Sequence, residues 1–287
     1  MKRLLILSGK GGTGKTTVAG AFIRFSRARA MADCDVDAPN LHLLMGRETQ
    51  PERLDFMGGD KARIDGAKCV GCGLCAEKCR FGAIEKSGDV YRVNEYSCEG
   101  CGVCARVCPQ GAPFLLPDKA GEQYVYKDDS VFSTARLKMG RGNSGKLVSA
   151  VKQVMLKNAP DCELAIIDGS PGIGCPVMAS VSGVDMALVV AEPSLSGLSD
   201  LKRLVSTARL LQAKLAVCVN KYQVCPQKAE EIESFCREEN IPFLGFLPYD
   251  ETASEAINRG GSVADTDGPL ARALERCYEE LMKLLGL

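Results

Sequence analysis

Eight of the fifteen cysteines in this 287-residue chain stand in two short runs with the same spacing. Residues 69–79 read CVGCGLCAEKC and residues 98–108 read CEGCGVCARVC, so each run has the pattern C-x₂-C-x₂-C-x₃-C. Thiolates at this spacing are typical metal ligands, whereas a secreted protein would pair its cysteines, and fifteen is an odd number. The two runs therefore predict metal binding.

A second chemical motif lies near the start of the chain, where residues 9–17 read GKGGTGKTT. It satisfies G-x-x-x-x-G-K-[ST] between a predicted strand and a predicted helix, which is the context that a phosphate-binding loop requires. Lys15 would supply charge to the β- and γ-phosphates and Thr16 a hydroxyl to Mg²⁺, while backbone N–H groups cradle the phosphates. The structural alternative is a glycine-rich turn that only caps a helix. The predicted nucleotide-binding residues are Gly9, Lys10, Gly11, Gly12, Thr13, Gly14, Lys15, Thr16 and Thr17.

The elements that position this loop alternate between buried strands and amphipathic helices. Short apolar runs of the kind found in parallel strands occupy residues 3–8, 163–168, 186–192, 214–220 and 242–247. Amphipathic segments occupy residues 15–26, 145–158, 197–212, 227–238 and 269–285. This order predicts an α/β fold with a doubly wound parallel sheet and helices on both faces.

The cysteine-rich stretch interrupts that alternation and is predicted to be an inserted small α+β domain. The segments KARID (61–65) and PFLLP (113–117) flank the cysteine runs and are expected to pair as a ribbon, which would bring the ends of the insert together. The predicted domains are 1–58 and 118–287 for the two parts of the host domain and 59–117 for the insert.

Composition excludes some functions. The 36 basic and 36 acidic residues cancel, so no nucleic-acid partner is expected. The apolar run that follows the first residues is too short for a signal peptide, and no stretch is long enough to span a membrane. The C-terminal amphipathic segment has a polar face of balanced charge, so we expect it to pack on the sheet and not on a membrane. The predicted location is the cytoplasm.

With GKGGTGKTT, DCDVDAPN (33–40) and IIDGSPG (166–172) together, the chain resembles the MinD/ParA/Mrp class of P-loop ATPases. The resemblance implies ATP hydrolysis by an ATP-dependent homodimer, in which Lys10 reaches the nucleotide of the partner subunit. It also implies that Asp35 positions the attacking water and that Asp33 and Asp168 support magnesium with Thr16. The alternatives are a solvated loop lysine at position 10 and an acidic turn in which Asp37 caps a helix beginning near Pro39.

Two further segments are predicted to form the base pocket. Asn220 and Lys221 close a strand, and an Asn amide can both donate to and accept from an adenine edge. Gln223 stands where guanine-binding proteins carry an aspartate, which favours ATP over GTP. Pro248 and Asp250 lie where this class lines the pocket. The alternative for Asn220 and Lys221 is a polar strand end.

The cysteine runs resemble those of bacterial two-cluster ferredoxins, in which the fourth cysteine of each run ligates the other cluster. This resemblance implies two [4Fe–4S] clusters, with Arg80 standing where a proline is usual. Structural zinc is the alternative, although its ligand pairs are normally further apart. The implied ligands are Cys69, Cys72, Cys75 and Cys108 for cluster 1, and Cys98, Cys101, Cys104 and Cys79 for cluster 2.

Host and insert together resemble MinD-superfamily ATPases that contain a ferredoxin domain. This implies an ATPase coupled to electron transfer with an unknown redox partner. The alternatives are an iron–sulfur scaffold or carrier of the Mrp type and a MinD-like positioning protein. His42 is expected on a helix surface. Cys34, Cys162, Cys175, Cys218, Cys236 and Cys277 are expected to be buried thiols, and Cys225 lacks the second cysteine of the carriers' C-P-x-C pair.

Overall fold

The computed structural model describes residues 1–46 and 49–287, which form thirteen strands and nine α-helices. The strands are β1 (Lys2–Leu7), β2 (Ala30–Asp33), β3 (Glu52–Met57), β4 (Lys61–Ile64), β5 (Ile84–Ser87), β6 (Val90–Val93), β7 (Pro113–Leu116), β8 (Lys119–Lys127), β9 (Val131–Leu137), β10 (Leu164–Asp168), β11 (Met186–Ala191), β12 (Lys214–Asn220) and β13 (Phe243–Leu247). The helices are α1 (Lys15–Ser26), α2 (Leu74–Glu77), α3 (Val103–Val107), α4 (Ser144–Asn158), α5 (Cys175–Val181), α6 (Leu195–Leu210), α7 (Pro226–Glu238), α8 (Glu251–Asn258) and α9 (Pro269–Leu285).

Nine of these strands form one sheet, in the order β13-β12-β11-β1-β10-β2-β9-β8-β3. The seven strands from β13 to β9 pair in parallel, and five of them, β1 and β10 to β13, are the strands that the apolar runs predict. Parallel strands covered by helices on both faces bury nearly every side chain, and β1, β10 and β11 are buried over almost their whole length. The predicted α/β fold with a large, mostly parallel sheet is confirmed.

The chain divides into two compact units. The first, which we call the P-loop unit, comprises Met1–Leu54, Gln123–Arg136 and Ser144–Leu287. The second, the cysteine unit, comprises Asp55–Glu122 and Leu137–Asn143. The sequence-based division at residues 59 and 117 stays a prediction.

The helices of the P-loop unit follow the amphipathic segments closely. Helix α1 begins at Lys15 and ends at Ser26, and α9 covers Pro269–Leu285, both at the predicted bounds. Helix α9 buries Leu274, Cys277 and Leu281 against α1 and β13, so its apolar face is covered by the P-loop unit itself. None of the described helices is long and apolar enough to cross a membrane.

The cysteine unit contains two short antiparallel ribbons. Strands β4 and β7 pair from Lys61 opposite Leu116 to Ile64 opposite Pro113, so the predicted ribbon between KARID and PFLLP is confirmed. Strands β5 and β6 form the second ribbon. The segment Leu137–Asn143 belongs to this unit through Arg141, whose side chain is 7% exposed and donates to Glu95 and Asp118.

Candidate nucleotide and metal sites

The glycine-rich loop lies between β1, near the middle of the sheet, and α1. Gly14 precedes α1 with a φ of 94°, and a Cβ at this position would lie 2.3 Å from Nδ2 of Asn220. Only glycine combines this left-handed backbone with such a close approach. The loop borders a cavity of about 1040 Å³, which is large enough for a nucleotide.

Most of the residues predicted to bind nucleotide surround this one cavity. Those that line it are Gly11, Gly12, Thr13, Gly14, Lys15, Thr16, Thr17, Asp35, Asn220, Lys221, Pro248 and Asp250. Gly9 and Lys10 instead border a separate small pocket with Glu192 and Asp200. Asp33 and Asp168 are fully buried beside the cavity-lining residues that they contact.

Lys15, Thr16 and Asp168 form a hydrogen-bonded cluster at the cavity. The Lys15 ammonium lies 2.5 Å from Oδ1 of Asp168, and the Thr16 hydroxyl donates to Oδ2 of the same carboxylate at 2.7 Å. The side chains of Lys15 and Asp168 are 6% and 1% exposed, so this ion pair is shielded from water. A carboxylate beside a hydroxyl at a phosphate-binding loop is a donor set that fits magnesium, which prefers oxygen ligands.

Asp33 adds a second buried carboxylate, since it ends β2 in register with Asp168 on β10. Burial, followed by the charge of Asp168, raises the pKa of Asp33 to about 7. Its two oxygens accept backbone N–H groups from Asp35 and Leu41, each at 3.0 Å. Asp33 is the last residue of β2 and shapes the loop that carries Asp35.

Asp35 is half-buried and lines the cavity, and burial is the main cause that raises its pKa, while Lys15 opposes the rise. The expectation that Asp37 caps a helix is wrong. Asp37 is exposed, and the helical turn that follows is a 3₁₀ turn at Leu41–Leu44 preceded by Asn40 without a side-chain cap. Proline and short polar residues here favour a turn over a regular helix. His42 is exposed on that turn, as predicted.

Lys10 points to the P-loop unit's own surface and not into the cavity. Its ammonium lies 3.0 Å from the Glu192 carboxylate and 3.5 Å from the Ser196 hydroxyl, with the side chain 38% exposed. Sequence reasoning missed Glu192. The available signal was its position directly after the apolar run at 186–191, at the carboxyl end of a strand that neighbours β1.

Asn220 is buried and braces the loop. Its Nδ2 donates to the Thr13 carbonyl at 2.7 Å and its Oδ1 accepts the Lys221 N–H at 2.9 Å. Lys221 in turn donates to the Gly12 carbonyl. Asp250 has a structural task as well, since its carboxylate accepts N–H groups at the start of α8 and from Leu270. Adenine recognition by these residues stays a prediction.

The eight cysteines of the two runs lie around two small cavities, four at each. The first is lined by Cys69, Cys72, Cys75 and Cys108, and the second by Cys79, Cys98, Cys101 and Cys104. Each cavity thus takes three cysteines from one run and the fourth from the other.

The thiols are also close enough to influence one another. Burial raises the pKa of Cys75, and the neighbouring Cys108 and Cys69 raise it further. Within residues 1–46 and 49–287, no three His, Cys, Asp or Glu side chains are placed to hold a single metal ion. In a four-iron cluster, iron and sulfide lie between the thiolates. The thiolates of a cluster are therefore further apart than the ligands of a single metal ion.

The glycines of the cysteine runs allow the backbone to wrap tightly. At Gly100 the φ is 65°, and a Cβ would lie 2.0 Å from the Asp60 carbonyl oxygen, so any side chain would displace the loop. Tyr91, which sequence reasoning missed, lines the first cavity. The sequence indicates this position only weakly, because Tyr91 stands in a short strand between the two cysteine runs.

The prediction of a buried thiol is confirmed for four of the remaining cysteines and wrong for two. Cys34, Cys218, Cys236 and Cys277 are fully buried, as expected. Cys162 is only half-buried, near the sulfur of Met1, because it precedes β10 in a surface turn. Cys175 is exposed, because it occupies the first position of α5 after a glycine-rich loop.

Comparisons with known proteins concern the family and the fold of the chain. Residues 4–263 match the family described as the CobQ/CobB/MinD/ParA nucleotide binding domain. An uncharacterized protein of Methanocaldococcus jannaschii is 31% identical over 99% of this chain and 97% of its own length. An iron–sulfur cluster carrier protein of the same organism is 24% identical over 90% of this chain and 76% of its own length.

Among solved structures, the septum site-determining protein MinD of Pyrococcus horikoshii in complex with Mg-ADP is similar, with a TM-score of 0.58. The match covers 99% of this chain and 97% of that chain at 18% identity. At this identity the likeness shows the fold alone.

Proposed function

Because the chain belongs to the CobQ/CobB/MinD/ParA family of P-loop NTPases, we propose that it binds and hydrolyses ATP and couples this to electron transfer through two [4Fe–4S] clusters. The observation that carries the proposal is the grouping of eight cysteines into two cavities of four. A cavity with four thiols and close backbone amides fits a cluster of this kind, which accepts and donates single electrons.

The exchanged fourth cysteine supports clusters over two independent zinc sites. Cys108 closes the cavity of the first run and Cys79 that of the second, so neither run is complete without the other. Structural zinc sites are typically built from two closely spaced ligand pairs. The proposed ligand sets are therefore the two predicted from the resemblance to ferredoxins.

For the nucleotide, the loop residues 9–17 would cradle the phosphates, and Lys15 would neutralise their charge. Thr16, Asp168 and Asp33 would hold magnesium, and Asp35, which lines the cavity, would orient water. Asn220 and Lys221 would bind the base beside Pro248 and Asp250.

Lys10 would complete the active form in a homodimer. It pairs with Glu192 of its own chain at 3.0 Å and borders a separate pocket, so it acts on a nucleotide only after leaving this carboxylate. We expect that change when two subunits face each other across ATP.

Metal analysis tests the cluster proposal. Protein purified without oxygen should contain about eight irons and eight sulfides per chain. Cys108→Ser and Cys79→Ser should each lower the iron content by about half, while Cys225→Ser, outside both cavities, should leave it unchanged. Stoichiometric zinc with little iron would contradict the proposal.

The dimer is tested by a second pair of variants. Lys10→Ala should bind ATP with nearly unchanged affinity but lose dimerisation and turnover. Lys146→Ala, which changes an exposed lysine that does not line the nucleotide cavity, should alter neither. Gel filtration with light scattering and phosphate release measure the two effects. Parental turnover in Lys10→Ala would contradict the homodimer.

A second candidate function is cluster delivery, which the 24% identity to an iron–sulfur cluster carrier protein favours. A delivered cluster must be under-ligated, but each cavity here has four thiols, and closed ligand sets hold their metal. The test mixes protein loaded with labelled iron with an apo-ferredoxin, with and without ATP. Electron transfer with retained iron supports the first function, and ATP-stimulated iron transfer supports the second.

A further inference from the structure

The two halves of the cysteine unit repeat each other closely, so the differences between them are informative. Each position of the second half lies 29 residues after its counterpart, as Cys98 follows Cys69 and Cys108 follows Cys79. Both halves have a strand, a cysteine run, a short helix and a second strand. Asp65 and Asn94, which are counterparts, each accept an N–H group two residues later. The two cavities thus have the same frame.

Hydrogen bonds to sulfur are distributed unequally over this frame. The N–H groups of Ala62 and Gly100 donate to Sγ of Cys98, and that of Ala83 donates to Sγ of Cys79, all at 3.4 Å. Both acceptors belong to the second cavity. Among the described residues, no equivalent bond reaches Cys69 or Cys108.

Some contacts are common to both halves and do not distinguish them. The amides that follow Cys75 and Cys104 contact these thiols in the same way, and each contact lowers the pKa of its thiol. The difference between the cavities therefore comes from the three amides of Ala62, Ala83 and Gly100.

Charge is also unequal. The half-buried Lys61 ammonium donates to the carbonyl oxygen of Cys98, whereas its counterpart 29 residues later is the uncharged Val90. Arg80, Lys68 and Glu99 also lie beside the cysteines, but all three are exposed, so water and salt screen their charges.

The first cavity has two polar side chains that the second lacks. Tyr91 and Gln110 line it, and their counterparts are Ala62 and Phe81. The Tyr91 hydroxyl lies 2.8 Å from the place where a Cβ of Gly73 would stand, and it donates to no described sulfur. Gln110 is exposed. Neutral side chains without a bond to sulfur stabilise negative charge less than a nearby ammonium with three amide bonds.

Resting on the cluster proposal above, we infer that the two clusters have different potentials and that the set Cys98, Cys101, Cys104 and Cys79 holds the higher. Reduction adds one negative charge to a cluster, and N–H donors and cations near its thiolates stabilise that charge. An electron given to the first cluster therefore moves to the second, so that the first is oxidised as the second is reduced. Lys61 is the positioning residue that sets the direction.

An anaerobic potentiometric titration with dithionite, followed by electron paramagnetic resonance, tests this on the full chain. The parent should show two separate one-electron steps. Lys61→Met should move the higher step to lower potential and lower the equilibrium constant for transfer between the clusters by roughly tenfold. Lys61→Arg should restore the parental value. Lys68→Met, which removes an exposed charge from the first half, should leave both steps unchanged.

The outcomes separate this inference from the proposal on which it rests. The inference is wrong if the chain holds about eight irons but its two reduction steps coincide, or if Lys61→Met changes the lower step alone. Either result would still support the presence of two clusters. A chain that binds zinc in place of iron overturns both. Iron content is measured on every variant, so that loss of a cluster is not mistaken for a change in potential.

Discussion

The P-loop unit and the cysteine unit hold their sites by different means. The core of the P-loop unit contains large side chains from many elements, such as Phe22, Phe132 and Leu274, all fully buried. The buried core of the cysteine unit consists of Ala62, Cys75, Ala83, Ile84, Cys98 and Cys104. Half of this second core is cysteine, and Ile84 is its largest aliphatic side chain.

This difference indicates where the stability of each unit comes from. Burial of Phe and Leu side chains stabilises the P-loop unit without any ligand, and the nucleotide cavity is already shaped by bonds among Lys15, Asp168 and Asn220. Apart from the cysteines, the unit buries small alanines and one isoleucine, with a few partly buried apolar side chains packed against them, which is too little apolar area to order a unit of this size. Metal bonds to the thiolates would supply the rest.

The largest expected effect is therefore the response to metal removal. When a chelator and an oxidant strip the protein, the amides of residues 61–116 should lose protection from hydrogen exchange by about 1000-fold or more, because the unit loses its thiolate bonds. The strands of the P-loop unit should keep their protection. Exchange followed by mass spectrometry measures both units in one sample. If residues 61–116 were equally protected before and after metal removal, the cysteine unit would not depend on metal for its stability.

Next in size is the loss of nucleotide binding in Lys15→Ala. The variant removes the ammonium from a buried pair with Asp168 and the charge that faces the phosphates, so ATP affinity should fall by about 100-fold or more. Calorimetric titration measures the affinity, and Lys146→Ala is the matched control. The iron content should stay at the parental level. A fall in iron would mean that the two sites depend on each other.

A smaller effect concerns pH and is expected only in the P-loop unit. Since the pKa of Asp33 rises from 3.8 in the unfolded chain to about 7 in the fold, the folded state binds more protons between these values. The contribution of Asp33 to the free energy of unfolding therefore falls as pH rises from about 4 to about 7.

Denaturant titrations across this pH range measure that contribution as the difference between the parent and Asp33→Asn. The exposed Asp37→Asn is the control and should show no such trend. A difference that is constant with pH, or that grows as pH rises, would contradict the assignment of the buried proton to Asp33.

The smallest effect comes from a helix cap in the P-loop unit. The Ser194 hydroxyl accepts the Gly197 N–H at 3.0 Å at the start of α6, so Ser194→Ala should lower the free energy of unfolding by about 1 kcal/mol. Thermal unfolding measures this change. The control is Ser206→Ala on the exposed side of the same helix, which should cost less. Neither variant should change the iron content.

The sequence predicts the parts of the fold whose patterns are periodic and apolar. Strands β1 and β10 to β13 and the long helices follow directly from such patterns, and the ribbon of β4 and β7 follows from short matching segments beside the cysteines. The phosphate-binding loop is predicted equally well, because few other residue types can take the places of Gly14, Lys15 and Thr16 in such a loop.

Other parts have no strong local pattern. Strand β3 lies at the edge of the sheet and is mostly exposed, and the neighbouring β8 alternates between buried and partly exposed positions, so neither has an apolar run. The exposure of Cys175 depends on how the preceding loop enters α5. The bracing of Gly14 by Asn220 joins residues far apart in the sequence and is visible only in the fold.

The path of the chain has a consequence for moving the cysteine unit into another protein. A single continuous segment would need two crossings, whereas this chain passes between its units at four places, because Leu137–Asn143 also belongs to the cysteine unit. Arg141 in that segment depends on Glu95, so deleting residues 59–117 alone would leave a buried guanidinium without one of its two carboxylates. Anyone who grafts this unit into another P-loop protein must therefore transplant both segments.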